Sequence, residues 1–221
     1  MDLDAFFASC EQQQHPEYQG HPVVVGARPG QRGVVAAASY EARRFGIHSA
    51  MPISEAYRRC PDAVFLRPDM EKYRRRSQQV FQILKTLAPV VEAASIDEAY
   101  LDVSGLEKLL GTPETIGHEI KQRIHSGTGL TASVGLGPNR LIAKLGSEHR
   151  KPDGLTVVPA EQVLEFLAPM PVSNLRGLGR QTWKVVSRLG IRPVEQLRAV
   201  PLPRLEEHLG KRAPASVHSQ A

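Results

Sequence analysis

The chain has 221 residues, 41% of them hydrophobic, 23% charged and 5% aromatic. That apolar fraction excludes a disordered chain, and the length suffices for one large or two small cores. The net charge of +5 is unevenly placed: nine Lys or Arg and three acidic residues lie from Phe166 onward, against 19 basic and 20 acidic residues before it. A near-neutral body with a basic C-terminal stretch suits a polyanionic partner, although a merely solubilising tail has the same charge.

No apolar run approaches the roughly 18 residues of a membrane span. Met1-Asp2-Leu3-Asp4 has neither the basic start nor the apolar stretch of a signal peptide. A soluble cytoplasmic chain with no membrane partner is expected. Cys10 and Cys60 supply neither a CxxC pair nor a zinc quartet, so they are expected as reduced thiols.

In chain order, the first residues read as a strand end running into a helix. Residues 21–26 (HPVVVG) form a buried-strand pattern, residues 28–33 a turn, and residues 34–38 a second apolar run. Ser39 is a cap for a short helix over 40–45, ended by Gly46, and a further helix over 53–60 stops before Pro61. A long helix from about Asp69 to Leu87 carries the stripe Tyr73, Val80, Phe81, Leu84 and Leu87, and Pro89 ends it. Residues 90–95 and 99–103 read as a strand pair joined across Ile96-Asp97-Glu98. A helix over 113–126, a strand over 130–136, a helix over 139–149 and a strand over 155–158 follow. Beyond about 160 the pattern turns wholly helical with Gly and Pro punctuation, which places a boundary near 159–169.

Three groups of residues could carry chemistry. Asp2 with Asp4, the adjacent Asp97 and Glu98, and Asp102 are acids beside apolar strands, where carboxylates are costly unless solvated, paired or bound to a cation. Hard cations such as Mg²⁺ take such oxygens together with substrate phosphates, while an Asp-Glu pair also suits an ordinary solvated hairpin turn. Tyr40, Arg43 and Arg44 share one helical face, suited to phosphate oxygens or to plain solvent. Gly177-Leu178-Gly179-Arg180 opens a helix with exposed backbone N–H groups, an anion site that reads as the hairpin of a helix-hairpin-helix. The eight histidines show no metal-ligand spacing, and neither a dinucleotide fingerprint nor a GxSxG elbow is present.

Taken in order, residues 2–9 (DLDAFFAS), 38–47 (ASYEARRFGI), 95–102 (SIDEAYLD), Lys144-Leu145 through Lys151-Pro152-Asp153-Gly154, and Gly177-Leu178-Gly179 closely resemble the Y-family translesion DNA polymerases, on their DNA polymerase IV branch. The resemblance covers nearly the whole chain. It implies an α+β fold with a ferredoxin-like palm over 1–10 and 69–160. A small α/β fingers insertion over 11–68 and an all-helical helix-hairpin-helix thumb over 161–221 complete it.

The resemblance further implies a low-fidelity lesion-bypass polymerase using two Mg²⁺ ions, with primer-template DNA and deoxynucleoside triphosphates as partners. Asp2, Asp97 and Glu98 are its implied catalytic carboxylates, and the Leu3 carbonyl a further metal ligand. Phe7 is the implied steric gate against a ribose 2′-hydroxyl, and Phe6 lies beneath the sugar. The resemblance likewise makes Tyr40, Arg43 and Lys151 the expected triphosphate contacts, and Gly177, Gly179 and Arg180 the expected DNA contacts. The family's residues before the first metal Asp are expected to be missing, as is its C-terminal little finger, so no sliding-clamp contact is expected. Ala37 stands where many relatives carry Thr, and Ala5 where some carry an aromatic or polar residue. The competing expectation is a catalytically weak or inactive DNA-binding accessory paralogue or fragment.

Overall fold

The computed structural model describes residues 1–175 and 180–209. The chain divides into two compact units, Met1–Leu136 with Gly146–Val157, and Gly137–Leu145 with the residues from Val158 onward.

In the first unit, β1 (Asp2–Leu3) leads through a left-handed turn at Ala5 (φ 43°) into α1 (Phe6–Gln14). A left-handed alanine costs roughly 1–2 kcal/mol. The turn is held by Ser9 Oγ, which donates to the Asp4 carbonyl at 2.6 Å. Next come β2 (Val23–Gly26), β3 (Val35–Ala38), α2 (Tyr40–Arg43), α3 (Ile53–Arg59) and β4 (Val64–Leu66). These strands form one sheet in the order β3-β2-β4, antiparallel then parallel. Alternate residues of β2 serve different cores: Val23 and Val25 face a large one built around Leu3, Phe6 and Tyr73, and Val24 a small one with Ile47, Met51 and Ile53. This is why the valine run is continuous rather than alternating.

Two sequence expectations shift here. The helix expected over 40–45 ends at Arg43, because Phe45 N and Gly46 N bond three residues back, to Ala42 and Arg43, in a tighter turn. β4 was not expected; its three residues are too few to show a period.

The helix expected from Asp69 forms as α4 (Met70–Leu87), and the Asp69 carboxylate accepts from Lys72 N at 3.0 Å. β5 (Val90–Ala93) and β6 (Ala99–Asp102) pair antiparallel with Glu92 opposite Tyr100. After α5 (Glu107–Leu110), α6 (Pro113–Thr128) starts with Thr112 capping Thr115 N and Pro113 in the first turn, and ends at Gly129 (φ 69°). β7 (Ala132–Leu136), α7 (Arg140–His149) and β8 (Leu155–Val157) follow. β1 lies antiparallel to β7, with Asp2 opposite Ser133, and β7 lies parallel to β8. The buried stripes of α4 (Val80, Leu84) and α6 (Ile116, Ile120, Ile124) share the large core with Leu3 and Val134. α6 approaches β8 so closely that a side chain at Gly117 would collide with Leu155. The unit is therefore α+β, with two helices layered on a ferredoxin-like sheet.

The second unit, beyond the first turns of α7, contains α8 (Val163–Leu167), α9 (Arg180–Arg188), α10 (Val194–Ala199) and α11 (Leu202–Leu209). Ile142, Leu145, Leu167, Val186, Leu197 and Leu205 form its core. Val172 N bonds the Arg192 carbonyl and Val194 N the Met170 carbonyl, both at 2.8 Å. Among the described residues no strand follows β8, and no helix is long and apolar enough to cross a membrane.

Leu84 has no exposed surface. Leu84→Ala is expected to lower the unfolding free energy by about 2–5 kcal/mol in a urea titration; a change below about 1 kcal/mol would refute its place at the centre of the core.

Candidate active site

Of the acids expected from sequence, Asp2, Asp97 and Glu98 meet at one backbone junction, whereas Asp102 is exposed at the end of β6 and accepts from Ser104 N at 3.0 Å. Leu3 N donates to the Asp97 carbonyl at 2.9 Å, Asp2 and Glu98 form a β-bridge, and Ala99 N bonds the Met1 carbonyl at 3.1 Å. This lays the turn between β5 and β6 along the free edge of β1. Leu3 points into the core, so its neighbours Asp2 and Asp4 take the other face. Ser95 Oγ donates to an Asp97 carboxylate oxygen and accepts from Asp97 N, fixing the turn. From behind, Ser77 of α4 donates to the Ile96 carbonyl.

Asp4, 2% exposed, gathers the neighbouring polar groups. Its Oδ1 accepts from Ser133 Oγ at 2.8 Å and from the Tyr40 hydroxyl at 3.4 Å, and its Oδ2 from Asp153 N at 2.8 Å. The last bond ties down the turn at residues 151–154, where Asp153 is left-handed (φ 53°) and a side chain at Gly154 would collide with the Arg150 carbonyl. Lys121 pairs with the Asp153 carboxylate at 3.2 Å. The turn thereby delivers the Lys151 ammonium onto Asp2 Oδ1.

The remaining expected residues surround this junction unevenly. Arg43 stacks its guanidinium 4.5 Å above the Tyr40 ring, and its Nε donates to the Ala38 carbonyl at 3.1 Å. Arg44 caps α2 and is exposed. Phe6 is buried in the core, while Phe7 is half-buried. Gly177 and Gly179 lie outside the described residues, and of Arg180 only the backbone is described, at the start of α9. Cys10 and Cys60 are buried free thiols. No local pattern marks Ser77, Ser133 or Glu11, the last a buried acid that accepts from Tyr73 and Lys72.

Burial, and then the Asp4 carboxylate, push the Tyr40 phenol up to about 12. Burial pushes the Cys10 thiol up to about 11, and burial with the bond to Glu11 holds the Tyr73 phenol well above its ordinary value.

A hard divalent cation suits the donor set, since Asp2, Asp97 and Glu98 offer only carboxylate oxygens, and Asp2 pairs with the Lys151 ammonium. Among the described residues no three acidic, imidazole or thiol groups already converge as a metal cluster.

Residues 1–148 match the impB/mucB/samB family. The chain belongs to that family. It is 50% identical over 213 residues to DNA polymerase IV of Alkalilimnicola ehrlichii, covering 96% of this chain and 60% of the relative. It is 48% identical over all 221 residues to DNA polymerase IV of Halorhodospira halophila, covering 62% of it. The crystal structure of DinB from Sulfolobus solfataricus superposes with a TM-score of 0.89 at 34% identity, over 100% of this chain and 65% of that one. An insertion ternary complex of Dbh DNA polymerase gives 0.87 at 33% identity, over 100% and 65%. The resemblance to the Y-family polymerases, DNA polymerase IV-like, thus holds throughout, while the chain spans about three fifths of the length of these curated relatives.

The three raised acids are neutral when protonated, so their contribution to stability is complete below the unfolded values, 9.0 for Cys10 and 10.0 for the tyrosines. It is lost as pH rises through the folded ones. Urea stability is therefore expected to fall from pH 9 to 12, and less steeply in Tyr40→Phe. An identical slope in the variant would remove Tyr40 from the buried network.

Proposed function

We propose that this chain is the catalytic part of a DNA-directed DNA polymerase of the low-fidelity, lesion-bypass type. It extends a primer 3′ end with deoxynucleoside triphosphates and resides in the cytoplasm. The observation that carries the reading is the junction of Asp2, Asp97 and Glu98 on one strand edge, with Tyr40, Arg43 and Lys151 grouped beside it in the same compact unit. The family match and the polymerase relatives support it. In this reading residues 1–10 and 69–160 are the palm, 11–68 the fingers and 161–221 a helix-hairpin-helix thumb that grips DNA through Gly177, Gly179 and Arg180.

The reaction joins the primer 3′-oxygen to the α-phosphate in line and releases pyrophosphate. Positioning and charge stabilisation supply most of such catalysis. Asp2, Asp97, Glu98 and the Leu3 carbonyl would hold two Mg²⁺ ions, which when bound neutralise the phosphoryl oxygens and activate the attacking hydroxyl. Lys151 offers an ammonium and Tyr40 a neutral phenol as donors to the triphosphate. Arg43, braced on the Tyr40 ring and the Ala38 carbonyl, adds a fixed guanidinium. Phe6 would underlie the sugar, and Phe7 would stand where a 2′-hydroxyl must pass.

Primer extension on undamaged primer-template with Mg²⁺ is expected from the chain as it stands, and Asp97→Ala should reduce it by at least roughly 10²–10³-fold. No extension with intact DNA binding would favour an accessory DNA-binding protein instead. Primer-template affinity should fall steeply between 50 and 200 mM salt, since phosphate contacts dominate such binding; a flat response would refute the thumb assignment.

A further inference from the structure

Beneath the half-buried Phe7 lies a buried acid for which the proposed chemistry has no use. Glu11, 4% exposed, accepts from the Tyr73 hydroxyl at 2.6 Å on one oxygen and from the Lys72 ammonium at 2.8 Å on the other. Tyr73 has no exposed surface, and its ring stacks face to face on Phe7, with centroids 4.2 Å apart and planes 10° apart. Phe6 leans on both rings at 5.6 and 6.3 Å.

The sequence positions explain the arrangement. Phe7 and Glu11 are one turn apart on α1, hence on one face, and Lys72 and Tyr73 sit together in the first turn of α4. A buried carboxylate is tolerated only with its partners in place. Tyr73 therefore cannot slide along the Phe7 face without giving up its own bond and taking from one buried Glu11 oxygen its Tyr73 donor. Phe7 thus rests on a wall fixed from both ends, by ring contact and by a hydroxyl anchored to its own helix.

We propose that Glu11, acting through the Tyr73 hydroxyl, is the positioning residue that sets the Phe7 ring and so the discrimination between deoxyribo- and ribonucleoside triphosphates. This rests on the reading of Phe7 as the residue facing the incoming sugar. A steric filter rejects one hydroxyl only if it does not yield; a phenyl ring able to retreat by about 1 Å admits the ribose. Bulk at Phe7 is then insufficient without the Glu11–Tyr73 tie behind it.

The test is the ratio of kcat/KM for a deoxynucleotide over the matching ribonucleotide, measured on one primer-template for the unaltered chain, Phe7→Ala, Glu11→Ala and Tyr73→Phe. The ratio should fall about tenfold or more in Glu11→Ala and measurably in Tyr73→Phe, which keeps the ring and removes one oxygen. An unchanged ratio in Tyr73→Phe, with Phe7→Ala collapsing it, overturns the proposal: Glu11 then only ties α1 to α4, and the polymerase reading stands. If Glu11→Ala does not fold, as its melting curve would show, Tyr73→Phe decides alone. No incorporation by the unaltered chain, or a Phe7→Ala ratio equal to it, overturns the underlying reading and this inference with it.

Discussion

The site depends on a carboxylate that is not among the proposed metal ligands. Asp4 is buried and accepts from Ser133, Tyr40 and Asp153, segments that lie 129, 36 and 149 residues away in sequence. Each bond locates a different part of the site: the neighbouring strand, the phenol of α2 and the turn bearing Lys151. A buried carboxylate tolerates no missing donor, so the three segments are held to one another through a single side chain. Asp2 then presents its carboxylate two residues away without carrying the assembly itself.

α4 supports the same region from behind. Its buried face runs Tyr73, Ser77, Val80, Leu84 and Leu87, and its two polar members each carry a hydrogen bond toward the proposed site. Ser77 holds the Ile96 carbonyl just before Asp97, and Tyr73 backs Phe7. One rigid helix thus references both the carboxylate turn and the aromatic wall to the large hydrophobic core.

Features encoded by neighbours in sequence were legible beforehand. The cap at Asp69, the 3.6-residue stripe behind it, the helix start at Pro113 and the strand pair around Asp97 and Glu98 all formed within a residue or two of expectation. The short elements β4 and α5 were not, because three or four residues complete no period. Asp2, Asp97, Glu98, Tyr40, Arg43 and Lys151 stood out as motif residues, and the fold brings them into one unit. Their supports did not stand out: Ser133 reads as any strand residue, Ser77 as a flaw in an apolar stripe, and Glu11 as a solvated helix acid. Hydrogen bonds across 62 or 129 residues leave no local pattern to read.

The valine run of β2 has a consequence for how the first unit opens. Val23 and Val25 belong to one core and Val24 to the other, on opposite faces of the same four-residue strand. Neither core can come apart by itself without exposing one face of that strand and breaking its ladder to β3 or β4. The two cores are thereby fused into one cooperative unit, and the amide protons of β2 are shielded until both are undone together.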